Sequence, residues 1–311
     1  MESVVESFFM LNKQMTAADV VATLRDGMTI GIGGWGPRRK PMAIVREILR
    51  SPLKDLTVVG YGGTDMGMLC AAGKVRKLIY GFVSLDFIPL EPYFRKAREA
   101  GQIEAMELDE GQLHWGLRAA AMRLPFLPTR IGLATDQPGK INPQFRTVTS
   151  PYADGEVLLA MPAIKLDVAL LHVHKADKLG NTRLYAPDPF FDEWFARAAE
   201  RCYVSSEEVV ERIASDETDA RFNPFERNLV SGVVAARGGA HPTSNVSTSN
   251  VSTQCGGYGW DAAHLKRYCD SAEQDGGWAQ YASEFLAGDE AAYQQAVGGV
   301  DAITQLPRQV F

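Results

Sequence analysis

Residues 16–121 alternate between short apolar runs and segments with helical spacing, and this alternation constrains the fold most strongly. Runs such as MTIGIGG and LTVVGYGG are almost continuously apolar, which is typical of strands buried in a parallel sheet. The segment PMAIVREILRSP between them has a proline at its start and another just past its end, as helices often do. The pattern predicts an α/β fold in which helices flank a mostly parallel sheet.

The remainder of the chain is less regular. Residues 124–155 are rich in proline and polar residues, which predicts one long crossing loop. Strand patterns return in VLLAMPAI, DVALLHVHKAD and RCYVSSE, and helical patterns in FFDEWFARAAE, EVVERIA and around residues 261–272 and 278–296. We therefore predict a flexible extension over residues 1–15, followed by one α/β domain over residues 16–311 with a C-terminal helical segment.

Composition narrows the class of protein. A chain of 311 residues that is 46% hydrophobic can bury a large core, and its net charge of -6 argues against a surface that binds nucleic acid. The first residues are acidic where a secretory signal would be basic, and no apolar run reaches the roughly 18 residues of a membrane span. The four cysteines have no metal-ligand spacing. We expect a cytoplasmic protein without a metal site and without a nucleic-acid or membrane partner.

Three glycine-containing turns follow strands of the first half, at residues 33–34, 62–63 and 109–111. Since ligands of open α/β sheets bind beyond the carboxyl ends of strands, we expect these turns to converge on one crevice. The first turn, in GIGGWGPRRK, is neither a P-loop nor a GxGxxG fingerprint. Its backbone amides and the cations Arg38, Arg39 and Lys40 suit a phosphate or carboxylate. A plain turn with solvated cations fits the same pattern equally well.

The third turn, in MELDEG, carries three carboxylates. Alternation along a strand places Glu107 and Asp109 on one face, while Glu110 falls in the turn. A partly desolvated carboxylate there has a raised pKa and suits a general base. Capping of the next helix by Asp109 or Glu110 is the commoner role for such residues. His172 and His174 face the same way along a strand, but no third metal ligand is visible, which favours buried hydrogen-bonded histidines.

Six segments, taken in order, resemble the α subunit of class I coenzyme A transferases over about residues 16–290. They are GIGGWGPRRKPMAIV, LTVVGYGG, MELDEGQLHWGLRAAAMRLPFLPTR, TVTSPY, MPAIKLDVALLHVHKADKLGN and GGAHPTS. The strings GWGPRRKPM, MELDEG and LPFLP further resemble the branch of this family that hydrolyses the last steroid ring. The SNVSTSNVST repeat at residues 244–253 departs from the family pattern.

The resemblance implies that this chain is an α subunit with an α/β fold. It would pair with a β subunit of the same family, as αβ or α2β2. It implies a cyclohexenone carboxyl-CoA thioester as substrate, hydrated through a glutamate base and then opened by retro-aldol cleavage. Glu110 is the expected base, with the amides of Gly33, Gly34 and Trp35 as oxyanion donors. Arg38, Arg39 or Arg130 would hold the substrate carboxylate or the CoA phosphates.

No metal or redox cofactor is expected, because coenzyme A is part of the substrate. Two alternatives stay open. The first is a CoA transferase whose nucleophilic glutamate lies on the partner subunit, and the second is a structural subunit without a catalytic role.

Overall fold

A computed structural model describes residues 12–214, 220–248 and 257–308. Strands in these ranges are β1 (Gln14–Met15), β2 (Thr29–Trp35), β3 (Leu56–Gly62), β4 (Val75–Val83), β5 (Glu104–Glu107), β6 (Phe126–Thr129), β7 (Arg146–Thr149), β8 (Val157–Pro162), β9 (Leu166–Asp177), β10 (Thr182–Arg183), β11 (Ala199–Val210) and β12 (Val230–Ala235). Helices are α1 (Ala17–Ala22), α2 (Met42–Arg50), α3 (Thr64–Ala71), α4 (Pro92–Glu99), α5 (Glu110–Ala121), α6 (Asp192–Ala198), α7 (Ala262–Ala272), α8 (Gly277–Phe285), α9 (Glu290–Ala296) and α10 (Val300–Thr304).

The main sheet has the order β1-β12-β11-β9-β2-β3-β4-β5, and every pairing along this path is parallel. The short β10 folds back antiparallel on β9. Neighbouring residues Val58 and Val59 of β3 are both fully buried, yet they pack into different apolar clusters. Because successive side chains of a strand point to opposite faces, the sheet is covered on both sides. The predicted α/β fold is confirmed.

Local signals place several helices correctly. Thr16 caps α1, since its hydroxyl accepts a hydrogen bond from the Asp19 amide at 3.0 Å and the Asp19 carboxylate accepts one from the Thr16 amide at 2.9 Å. Met15, which falls within the predicted flexible extension, pairs with β12. Residues 1–11 of that extension lie outside the described residues.

Two element predictions are wrong. The predicted crossing loop contains β6 and β7, which pair with β8 in a separate antiparallel sheet. The predicted helix EVVERIA is instead the end of β11, because Glu208, Val209 and Val210 continue the ladder with β9. Pairing with a neighbouring strand outweighs the helical spacing of this segment.

The C-terminal segment is helical, as predicted, although the stretch 278–296 divides into α8 and α9. Side-chain hydrogen bonds and ion pairs connect these helices to the first half of the chain. The Tyr268 hydroxyl of α7 donates to the buried Glu91 at 2.7 Å, and the Arg46 guanidinium of α2 binds Glu290 of α9. Within the three described ranges, every helix is too short or too polar to cross a bilayer.

Candidate active site

The GIGGWGPRRK turn begins where β2 leaves its regular pairing with β3. The register between these strands shifts between Ile32 and Trp35, and Gly34 has a φ of 74°, which favours glycine. The Trp35 amide then donates to the Arg38 carbonyl at 3.0 Å, and the Arg38 amide donates back at 2.8 Å. The turn is therefore closed by its own backbone.

Asp192, at the start of α6, fixes the shape of this turn. Its fully buried carboxylate accepts the Gly34 amide at 3.0 Å and forms an ion pair with Arg39. A Cβ atom on Gly33 would lie 2.6 Å from the same carboxylate, so glycine is needed there for packing. The prediction of free oxyanion donors is corrected for Gly34 and Trp35, because both amides are already engaged within the protein.

The cations of the turn do not form one anion-binding group. Arg39 is 2% exposed, held by Asp192 and by the His172 carbonyl, so its expected role in holding a substrate anion is also corrected. Lys40 is fully buried and donates to the Tyr61 carbonyl at 2.6 Å; burial lowers its pKa. Arg38 stays partly exposed and pairs with Asp86.

Arg130 lies away from this turn, in the loop after β6. Its guanidinium binds both carboxylate oxygens of Glu156 at 2.5 Å each, and its side chain is 77% exposed. Of the three predicted arginines, Arg38 and Arg130 therefore remain accessible to a ligand.

Glu110 is the first residue of α5. The neighbouring Asp109 caps this helix, accepting the Gly111 amide at 2.8 Å, while the Gln112 side chain accepts the Asp109 amide at 2.9 Å. Capping thus falls to Asp109 and leaves the Glu110 carboxylate for another role. Glu110 is solvent-accessible and lines an open cavity of about 680 Å³. Partial burial, followed by the charge of Asp109, raises the pKa of Glu110 above its ordinary value.

Tyr61, at the end of β3, lies between the first turn and Glu110. Its ring stacks on Trp35 with centroids 5.0 Å apart, and its hydroxyl donates to the Glu110 carbonyl at 2.9 Å. A second cavity, of about 480 Å³, lies on the Trp35 side and is lined by Arg38 and Phe190 among others. Tyr61 thus contacts both Trp35 and Glu110, but these two cavities do not show the expected convergence on one crevice, because they have no lining residue in common.

The histidines of β9 are buried hydrogen-bonded residues. His172 bonds the Ser205 hydroxyl and the Glu207 carboxylate, both at 2.8 Å, and His174 accepts the Tyr185 amide at 3.1 Å. No group of three or more potential metal ligands occurs in the described ranges. Free, buried cysteines stand at positions 70, 202 and 269, while Cys255 lies outside the described residues.

The start of the SNVSTSNVST repeat packs against the first turn. The Arg39 amide donates to the Ser244 carbonyl at 2.6 Å. Asn245 is fully buried, and its side-chain amide donates to the Glu207 carboxylate at 3.1 Å. Residues 249–253 of the repeat lie outside the described residues. Neither Asp192 nor this contact was found from the sequence, since both partners are remote along the chain.

Comparisons with known proteins agree with this architecture. The family model described as coenzyme A transferase matches residues 14–231. The cholesterol ring-cleaving hydrolase IpdA subunit of Rhodococcus jostii (strain RHA1) is 48% identical, with an alignment covering 92% of this chain and 96% of that protein.

Two solved structures have the same fold. The crystal structure of glutaconate coenzyme A-transferase from Acidaminococcus fermentans superposes with a TM-score of 0.83 at 27% identity, covering 96% of both chains. The crystal structure of a variant of the decarboxylase AibA/AibB superposes with a TM-score of 0.71 at 30% identity, covering 88% of this chain and 98% of that one.

Proposed function

This chain belongs to the coenzyme A transferase family, and we propose that it is the α subunit of a heteromeric hydrolase that opens the last ring of a steroid-derived CoA thioester. The proposal rests on 48% identity, over almost the full length of both chains, to a relative named as the subunit of a cholesterol ring-cleaving hydrolase. The partner is a β subunit of the same family, in an αβ or α2β2 assembly. Buried free cysteines suit the reducing cytoplasm, where we place the enzyme.

The substrate is a cyclohexenone carboxyl-CoA thioester with a propionate side chain. Its ring carbon β to both the ketone and the thioester is electrophilic. A general base removes a proton from water as the water oxygen bonds to this carbon, and the enolate formed is then protonated. In the second stage the base removes the proton of the new hydroxyl, the ring C–C bond breaks, a ketone forms at the hydroxyl carbon, and the released enolate takes up a proton. One water molecule is consumed and no redox change occurs.

The position of Glu110 supports its proposed role as the general base. A carboxylate that acts as the base in this reaction must reach an open cavity and must have a raised pKa. Glu110 meets both conditions, because Asp109 takes over helix capping and partial burial raises the Glu110 pKa. The accessible cations Arg38 and Arg130 are the candidates for binding the substrate carboxylate or the CoA phosphates. Each is paired with a partly exposed carboxylate, Asp86 or Glu156, which a bound ligand would have to displace.

The test uses the complex of this chain with its β subunit, incubated with the ring thioester and no acceptor acid. We expect ring-opened product from the native complex, at a rate that rises with pH through the raised pKa of Glu110, since the base acts in its deprotonated form. Glu110→Gln keeps the shape of the side chain but removes the base, so turnover should fall about a hundredfold to ten-thousandfold.

The matched control is Glu107→Gln. Glu107 is a neighbouring carboxylate that is engaged with Arg98 at 2.7 Å instead of facing the cavity. The complex that carries Glu107→Gln should retain near-native turnover. Unchanged turnover in Glu110→Gln would remove the catalytic role of this chain and leave the structural-subunit alternative.

A CoA transferase is the second candidate, supported by the superposition on glutaconate coenzyme A-transferase. It predicts turnover only when an acceptor acid is present, and a glutamyl-CoA thioester on the β subunit that borohydride reduction traps. Acceptor-dependent turnover together with that adduct would replace the hydrolase proposal.

A further inference from the structure

We propose that Tyr61 is a positioning residue that sets the direction and the solvation of the Glu110 carboxylate. The inference rests on the proposed function, in which Glu110 is the base. Tyr61 lies at the end of β3, directly before the second glycine turn, and is fully buried, so it acts through Glu110 and does not touch the substrate itself.

The contact between the two residues is direct and close. The Tyr61 hydroxyl donates to the Glu110 carbonyl at 2.9 Å. Gly81 of β4 makes this approach possible, because a Cβ atom there would lie 3.1 Å from the Tyr61 ring and 3.3 Å from the Glu110 Cα. Burial, with the charges of Glu110 and Asp109, raises the pKa of Tyr61 far above its ordinary value, so the hydroxyl keeps its proton and remains a donor.

Both the backbone carbonyl and the ring of Tyr61 make contacts that hold it in place. Its carbonyl accepts the Lys40 ammonium at 2.6 Å and the Gly36 amide at 3.2 Å, both from the GIGGWGPRRK turn. Its ring stacks on Trp35 at an interplanar angle of 15° and lies 5.2 Å from the Phe191 ring. The residue therefore joins the first turn to the start of α5 through rigid contacts.

The place of Glu110 in its helix makes the position of its carboxylate sensitive to the backbone. At the first helical position, the backbone direction decides where the Cα–Cβ bond points and how deeply the carboxylate enters the cavity. Catalytic groups must be held to within about 0.5 Å, and a displacement of about 1 Å can cost a hundredfold in rate. A hydrogen bond to the Glu110 carbonyl adds to the constraint that the Asp109 cap already places on this first turn.

The titratable groups that line this cavity in the described structure are Asp109, Glu110 and Asp136, with the Tyr61 hydroxyl behind Glu110. Without the Tyr61 hydrogen bond, we expect the first turn of α5 to shift and the carboxylate to become more fully exposed to water. Its pKa then falls towards the ordinary value. The acid limb of kcat/KM reports that pKa in the free enzyme, so it should move to lower pH. A purely structural tyrosine would change stability and leave this limb in place.

The experiment compares Tyr61→Phe with the native chain in the assembled complex, using the ring thioester. We expect kcat to fall about tenfold to hundredfold with KM nearly unchanged, and the acid limb of kcat/KM to shift to lower pH. The matched control is Tyr80→Phe. Tyr80 is also a buried tyrosine, but its hydroxyl contacts the Glu107 carboxylate at 3.3 Å, so both kinetic readouts should stay native.

Gly81→Ala provides a second variant that keeps the Tyr61 hydroxyl. The added methyl group presses against both the ring and the Glu110 backbone, so it should shift kcat and the acid limb in the same direction as Tyr61→Phe. Native kcat and a native acid limb in folded Tyr61→Phe would overturn the inference. If Glu110→Gln still abolishes turnover in that case, the proposed function survives, whereas native turnover in Glu110→Gln would remove the proposed function itself.

Discussion

The carboxylate of Asp192 shows how much one buried residue decides in this protein. It binds the Gly34 amide and the Arg39 guanidinium, and both ionic side chains are almost completely excluded from water. Such a pair stabilises little by itself, but removing one partner leaves the other as an unpaired buried charge. The turn that carries Trp35 and Arg38 therefore depends on a residue from another element.

Asp192→Asn should lower the free energy of unfolding by about 3 to 5 kcal/mol, because Arg39 stays buried without its counter-ion. Urea denaturation of the native and variant proteins measures this difference. The control is Asp86→Asn, whose partner Arg38 is 20% exposed and can be solvated, so the loss should stay at or below about 1 kcal/mol. Equal losses in the two variants would contradict the importance assigned to the buried pair.

The sequence pointed to some of these functional residues and not to others. It predicted Glu110 as the base from its place in a strand-end turn and from a family resemblance. It did not separate the roles of Asp109 and Glu110, because either carboxylate can cap a helix and only the folded backbone shows which one does. Tyr61 gave no signal, since an apolar strand ending in tyrosine looks like any core strand.

At the scale of elements, α4 meets the C-terminal helices through a buried carboxyl group. Glu91 caps α4 by accepting the Phe94 amide at 2.6 Å, and it also accepts the Tyr268 hydroxyl of α7. Gly67 of α3 leaves the necessary space, because a Cβ atom there would lie 2.2 Å from a Glu91 oxygen. Burial raises the pKa of Glu91 to about 7.

This raised pKa predicts a pH-dependent stability. The folded state disfavours the Glu91 carboxylate, so the contribution of Glu91 is fully present below the unfolded pKa of about 4.5 and is lost as the pH rises to about 7. Glu91→Gln cannot ionise. The stability of the native protein relative to this variant should therefore fall by up to roughly 3 kcal/mol between pH 4.5 and 7.

Urea denaturation of both proteins at about pH 5 and about pH 8, on either side of the raised pKa, tests this. A stability difference that stays constant across the two pH values would show that Glu91 does not titrate in this range. If the native protein instead gained stability relative to Glu91→Gln as the pH rises, the result would contradict the burial argument.

Local rules account for most elements and fail where pairing partners are distant. The capping pair in α1 and the proline before α2 are readable in the sequence. The sequence at the end of β11 predicts a helix, but in the structure this segment is a strand that pairs in parallel with β9. The strands β6 and β7 are only four residues each, too short to stand out among prolines and polar residues.

For the whole molecule, the C-terminal helices and the parallel sheet are expected to unfold as one unit. Arg46 of α2 donates to the His241 carbonyl at 2.6 Å and lies over the Tyr293 ring at 3.7 Å, while Tyr93 of α4 bonds Ser271 at 2.7 Å. These contacts tie α7 and α9 to the first half of the chain through buried groups.

Hydrogen exchange under increasing urea measures this coupling. Amides of α7 and α9 should open with the same free energy and the same urea dependence as amides of β9, because cooperative units exchange together. The largely exposed helix α10 provides an internal reference for local fraying. A lower opening free energy confined to residues 262–296 would mean that this segment is a separable unit.

The sequence by itself determined the fold class, because apolar runs of strand length alternating with helical patterns are compatible with few arrangements other than a covered parallel sheet. It also determined the family and the candidate base, since six motifs keep their order along the chain.

Tertiary structure alone decided which polar groups are free to act. Asp192 occupies Arg39 and the Gly34 amide, Asp109 takes over capping from Glu110, and Tyr61 joins the first turn to the candidate base. Hydrogen bonds need donor–acceptor distances of about 2.7 to 3.2 Å, so they depend on positioning residues remote in the chain to within a few tenths of an ångström. A pattern of residue types along one dimension does not contain those distances.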